Sequence, residues 1–150
     1  MRRTRRARWV RIEPWHIPVR LVTGAFLLNS GLTKQTADET AAAQVHGFAG
    51  GAYPPLEKIP PQTFVQIVSA AEITLGAALL IPAVPPLVAG AGLAAYSAGL
   101  LGLYVRTPGM RKERSLRPTE QGAGLAKDVW MFGIGTALVL DHFLGAHRRR

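Results

Sequence analysis

The chain has 150 residues, 48% of them hydrophobic, a formal net charge of +9 and no cysteine. Without thiols it cannot itself carry out disulfide exchange, thiolate catalysis, thiolate zinc binding or iron–sulfur ligation. So basic a balance raises nucleic acid as a partner, but the cations are segregated into the first dozen positions, the stretch 106–117 and the last three positions, while tracts such as 84–105 carry no charge. A basic face for nucleic acid has no use for several apolar tracts near membrane length. Nucleic acid is therefore set aside, and the basic segments are read as flanks that orient membrane spans and contact anionic lipid headgroups.

Residues 1–15 read as a basic cytoplasmic arm, with Trp9 and Trp15 at the headgroup level. The first span is expected over 16–33 and is the weakest, because Arg20 lies inside it. A cleaved secretory signal is the competing reading. Arg20 interrupts its apolar run and no A-x-A site follows, so a retained helix is preferred. Residues 35–62 form an outer connector, in which Thr36 is placed to cap a short helix through about Ala49, with Asp38 and Glu39 favourable at its positive end. Gly50-Gly51, Pro54-Pro55 and Pro60-Pro61 are expected to break regular structure there. The second span, 63–82, is apolar except for Gln66 and Glu72. Pro82 and Pro85-Pro86 make a tight turn, so the second and third spans should form an antiparallel hairpin. In the third span, 86–105, Gly90, Ala94, Ala98 and Gly102 recur every four residues. Small residues at that spacing let helix backbones approach closely in lipid, and they also leave self-association open. A polar, basic loop over 106–121 leads to the last span, 122–143, with Lys127 and Asp128 in its first turns. A basic cytoplasmic tail, 144–150, follows.

The expected fold is thus all-α: a single four-helix transmembrane domain at 16–143, made of two helical hairpins, with a short outer helix in the first connector. With both termini cytoplasmic, nine basic residues face the cytoplasm against seven outside. The dense N-terminal cluster sets that orientation.

The informative residues are the charges inside the spans. A lone charge at the bilayer centre costs at least about 2.5–3.5 kcal/mol, so such groups face the bundle interior and pair. At about 1.5 Å per residue, Lys127 and Asp128 lie roughly 7–9 Å from the outer boundary, Glu72 roughly 15 Å and Arg20 roughly 20 Å. Arg20, Gly24, Gly31 and Lys34 share one face of the first span, and Ser69, Glu72 and Gly76 one face of the second. Gly24 and Gly76 would let those helices close together. This predicts a polar core in which Arg20 and Glu72 pair, with Lys127 and Asp128 beside them and Lys34 at its outer end. Two readings of it stay open: an ion-pair network that fixes helix register, or a proton relay or pocket for a small ligand such as a quinone headgroup or sulfur oxyanion. His16 and His142 fall at one depth, as haem ligands would, though interfacial histidines commonly ligate nothing. No set of carboxylates and histidines stands at metal-ligand spacing on a helix face, and no metal is expected.

In order, spacing and helix placement, Arg20, Gly24, Phe26, Gly31 and Lys34, then Glu72 and Gly76 in A-E-I-T-L-G, then Ala126-Lys127-Asp128 in L-A-K-D, resemble the DoxX family of small four-helix bacterial membrane proteins. The likeness covers most of Pro18 to Leu140. It implies a bacterial inner-membrane protein connected with thiosulfate:quinone oxidation or with assemblies that handle oxidative and thiol stress. It also marks Arg20, Glu72, Lys127 and Asp128 as site candidates. The function expected is an accessory or assembly subunit of a membrane redox complex, more non-catalytic than enzymatic and with no cofactor of its own. The alternatives are a quinone-binding oxidoreductase subunit and a small transporter or channel. The Gly/Pro-rich connector and the basic 106–117 loop depart from the family pattern.

Overall fold

Proline opens two of the long helices and an acidic cap opens the helix of the first connector. In a computed structural model describing residues 13–147, the helices are α1 (His16–Gln35), α2 (Glu39–Ala52), a 3-10 turn (Pro54–Lys58), α3 (Pro61–Leu80), α4 (Pro86–Arg106), the single turn α5 (Ala123–Ala126) and α6 (Val129–His147). The basic arm expected at the start lies outside the described residues up to position 12, as do Arg148 to Arg150. The described residues contain no strand beyond a single antiparallel bridge, Arg111 to Pro118. Pro61 and Pro86 each occupy the first position of a long helix, where a missing N–H costs nothing.

Among the described residues, three stretches are long and apolar enough to cross a membrane: α3, α4 and 123–144. α1 equals α3 in length but is less apolar. Leu21, Val22, Phe26, Ile67, Val88, Val129 and Leu140 lie on the outside of the molecule. So large an apolar outer surface suits a lipid solvent rather than water.

The connector differs in detail from the expectation. Asp38, not Thr36, caps α2, its carboxylate accepting from the Ala41 N–H at 2.8 Å. Thr36 instead donates to the Thr33 carbonyl at the end of α1. Gly50 and Gly51 lie within α2, which runs on until the chain reaches Pro54. Gly50 is buried against the Glu57 side chain, so its lack of a Cβ serves packing rather than a break.

Packing pairs the helices in a way the connectivity does not announce. The 81–85 turn does join α3 to α4, yet the close pairs are α1 with α3 and α4 with α6, each antiparallel. A Cβ on Gly76 would stand 2.8 Å from the Gly24 carbonyl, and one on Gly135 would stand 2.8 Å from that of Gly90. The buried cluster of Leu27, Leu79, Ala89, Leu93, Met131 and Leu138 draws on both pairs. The small-residue row of α4 is divided. Gly90 and Ala94 meet Gly135 of α6, Gly102 lies under the Tyr53 hydroxyl, and Ala98 is exposed. The last span is not one continuous helix, since α5 and α6 are separated by a turn at Lys127 and Asp128.

Candidate functional site

Four elements bring ionisable side chains to one place in the apolar interior. On α1, Lys34 stands one turn beyond Ser30 and donates to its hydroxyl at 2.7 Å. Held there, the ammonium donates to both Glu72 carboxylate oxygens of α3, at 3.0 and 2.9 Å. From α4 the Tyr96 hydroxyl donates to Glu72 Oε1 in a short hydrogen bond. Asp128, at the break between α5 and α6, is 7% exposed, and its charge interacts with those of Lys127, Glu72 and Lys34. One turn before Glu72, Ser69 donates across the interface to the Gly31 carbonyl at 2.8 Å. That bond fixes the α1/α3 register at the level where Lys34 and Glu72 meet. It is available because Gly31 has no side chain: a Cβ there would lie 2.9 Å from the Ser69 carbonyl.

The predicted pairing of Arg20 with Glu72 is therefore corrected. Glu72 is paired with Lys34, and Arg20 serves the other end of α3. Its guanidinium donates to the carbonyls of Leu79 at 2.8 Å, Ala78 at 2.9 Å, Ile81 at 3.0 Å and Val84 at 3.1 Å. The cause lies in the turn. An α-helical carbonyl is normally met by the N–H four residues on, but position 82 is proline and cannot meet Ala78; Pro85 likewise cannot meet Ile81, whose carbonyl takes the Val84 N–H at 3.1 Å and has room for a second donor. A cation at a helix C-terminus is also favoured by the helix dipole. The register has the same effect: Gly24 faces Gly76 on antiparallel helices, so Arg20, one turn earlier on α1, reaches the end of α3 rather than its middle.

Lys127 was expected inside the core, but its side chain is exposed at the turn. His16 is 1% exposed, its Nδ1 accepts from the Glu13 N–H at 3.2 Å, and its Nε2 lies 3.2 Å from Asp141 Oδ2, at ion-pair distance but off the line of a hydrogen bond. One ring nitrogen is thus committed to the Glu13 N–H, and the other stands near Asp141, where the start of α1 meets the end of α6. Among the described residues no three histidine or acidic side chains stand close enough to hold a metal ion. Trp130 packs edge-on against Phe26, with ring centroids 6.2 Å apart.

Tyr96 is the site residue the sequence reading passed over. A tyrosine in mid-span has a hydroxyl that must find a partner once buried, and that alone would have directed attention to the nearest carboxylate. In ionised form, Lys34 and Glu72 cancel, and Asp128 stands next to the Lys127 charge at the turn. Glu72 is closed in by three hydrogen bonds, whereas the Asp128 carboxylate accepts none from the described residues. No family model, curated protein or solved structure matches the chain.

Proposed function

We propose that this chain is a multi-pass protein of the bacterial inner membrane in which α1 is a fourth span, completing a DoxX-like four-helix bundle with both termini cytoplasmic. On this reading it works as a non-catalytic accessory or assembly subunit of a membrane redox or oxidative-stress complex. The observation that carries the proposal is the closed contact of Lys34, Glu72 and Tyr96. The charges that lower the apolarity of α1 are met by α3 and the 81–85 turn, Arg20 deep inside and Lys34 on Glu72 at the outer end, so α1 can lie in lipid beside them without an unpaired ion. A network satisfied in this way fixes register and helix order, which suits a subunit that others assemble on. The residues of the resemblance point the same way. Tagged full-length protein should sediment with membranes and, extracted in mild detergent, carry stoichiometric partner subunits. Recovery as a lone monodisperse protein would count against the accessory role, and recovery from the aqueous fraction without detergent would end the membrane reading.

A second reading is favoured by one observation, an acidic residue only 7% exposed, Asp128, at a helix break. Breaks in membrane helices gather ion and substrate sites in other proteins, and a carboxylate at such a break is a place to hold a proton. On that reading the chain is a quinone-linked subunit whose proton passes through Asp128. Asp128→Asn should then abolish quinone reduction by the purified complex with the helices intact; an unchanged rate removes the reading. A transporter or channel using the same charges would show proteoliposome uptake that Asp128→Asn abolishes.

A further inference from the structure

The end of α4 and the segment that follows it carry five basic residues within twelve positions, Arg106, Arg111, Lys112, Arg114 and Arg117, and the segment is folded rather than loose. Lys112 N–H donates to the Arg117 carbonyl at 2.9 Å and Thr119 N–H to the Met110 carbonyl at 3.0 Å, making a small hairpin with Met110 buried beneath it. The Tyr104 hydroxyl of α4 holds the hairpin by donating to the Leu116 carbonyl at 2.6 Å. Between the hairpin and the end of α4 lies an open groove of about 300 Å³, lined by Val105, Arg106, Arg111, Lys112, Glu113 and Arg114 among others. Four cations and one carboxylate face it.

Those cations are not used up inside the protein. The ion pairs among the described residues are His16 with Asp141 and Lys34 with Glu72, so none of the four is neutralised by a carboxylate within 4.0 Å. Arg106 lies over the Tyr53 ring at 4.8 Å, which orients it without cancelling its charge. One Arg111 nitrogen donates to the Val105 carbonyl at 2.9 Å, which holds that guanidinium against the helix end. Arg114 takes a left-handed backbone, φ 53°, at the hairpin tip. Two cations are therefore positioned by contacts and two sit at the tip, around a groove that starts where a membrane-length apolar helix stops.

We propose that this groove binds the phosphate of an anionic membrane phospholipid, held by Arg106, Arg111, Lys112 and Arg114. The lipid is chosen over a free anion on placement. The groove opens beside exposed Val105 on α4, and Leu116 on the same hairpin is 74% exposed. A bare phosphate would have no use for those apolar flanks, whereas acyl chains would. Each basic residue near a charged membrane surface contributes about 1 kcal/mol, and preset cations lose less freedom on binding than mobile ones. The inference needs only that α4 is in the membrane; it stands whether or not the chain is an accessory subunit.

The test is competition between phosphatidylglycerol and phosphatidylcholine for the full chain in mixed nanodiscs, read as the ratio of the two lipids retained on the protein by native mass spectrometry. Wild type should prefer phosphatidylglycerol, and Lys112→Gln with Arg114→Gln should cut the preference by at least about tenfold, from two contributions of about 1 kcal/mol each. Glu113→Gln removes the opposing charge and should raise it. Both variants change exposed side chains and should keep the helical content of wild type. An unchanged ratio in the double variant would assign lipid preference to the basic termini and overturn the proposal. So would inorganic phosphate displacing phosphatidylglycerol at equal concentration, because the groove would then be a free-anion site.

Discussion

In α1/α3 the backbones meet at Gly24 and Gly76, and in α4/α6 they meet at Gly90 and Gly135, with nearly the same clearance. Beyond that contact the two pairs part company. Along α1/α3 there are hydrogen bonds across the interface at three levels: Arg20 to the end of α3, Ser69 to Gly31, and Lys34 to Glu72. Around the α4/α6 contact lie Ala89, Leu93, Met131 and Leu138, and the buried polar group there, Ser97, bonds back to its own helix at the Leu93 carbonyl. One pair is held by dispersion at a close backbone approach; the other adds directional bonds to the same approach. The helix too polar to pass as a span by composition is the one that received the bonds. In lipid such bonds average well under 1 kcal/mol apiece, so their effect depends on number and on what is left bare when one partner goes.

Breaking Arg20 should therefore have the largest effect. Arg20→Gln forfeits a fan of bonds to four carbonyls and leaves that of Ala78 with no N–H four residues on to replace it, while that of Ile81 keeps the Val84 N–H at 3.1 Å. A loss of about 3 kcal/mol is expected, from several bonds near 0.6 kcal/mol each plus the Ala78 carbonyl left bare. Reversible denaturation in mixed detergent micelles would measure it. A cost below that of Ser69→Ala would mean that the turn finds other donors.

The glycine contacts come next and test what the two pairs share. Gly76→Ala places a methyl 2.7 Å from the Leu28 nitrogen and Gly135→Ala one 2.6 Å from that of Ala94, so in both the helices must separate. Each should cost about 2 kcal/mol, as overpacking does, and the two values should agree closely. A much smaller cost in α1/α3 would show that its polar bonds hold the helices whatever their spacing.

Much of this division could be read in advance and some could not. Helix positions followed from apolar length and proline punctuation, and Gly24 with Gly76 from a shared face. Arg20 was misassigned because charge complementarity with Glu72 was weighed and the donor-poor turn was not, although Pro82 stands in the sequence and implies an unmet carbonyl at Ala78. The preference for α1/α3 and α4/α6 over the connected α3/α4 pair had no local signal that distinguished it. Gly135 on α6 and Gly90 on α4 became informative only once their helices were known to face each other. The turn at Lys127 and Asp128 was hidden by an apolar run that reads as one helix.

Glu72→Gln should be milder than burial alone suggests. A buried pair broken on one side can cost 3–5 kcal/mol, but the Lys34 side chain is 25% exposed and can rehydrate, and the amide can still accept from Tyr96. About 1.5 kcal/mol is expected. Lys34→Met combined with Glu72→Met should recover most of it, since the apolar pair leaves no stranded ion; a double variant worse than either single would show that the pair contributes more than its own neutralisation.

The smallest effect makes the sharpest contrast, because the residue type and its burial are held constant. Ser69 and Ser97 are both within 1% of full burial. Ser69 spends its hydrogen bond across an interface, on the Gly31 carbonyl at 2.8 Å, and Ser97 on Leu93 of its own helix at 2.6 Å. When Ser97 becomes alanine the Leu93 carbonyl keeps its backbone partner and no helix is released, so the cost should stay under about 0.5 kcal/mol. When Ser69 becomes alanine α1 and α3 lose a bond that fixes their register, so about 1 kcal/mol should go. Equal costs in the same detergent series would mean that the polar levels of α1/α3 are no more than side chains finding the nearest carbonyl, and that glycine contacts alone hold both pairs.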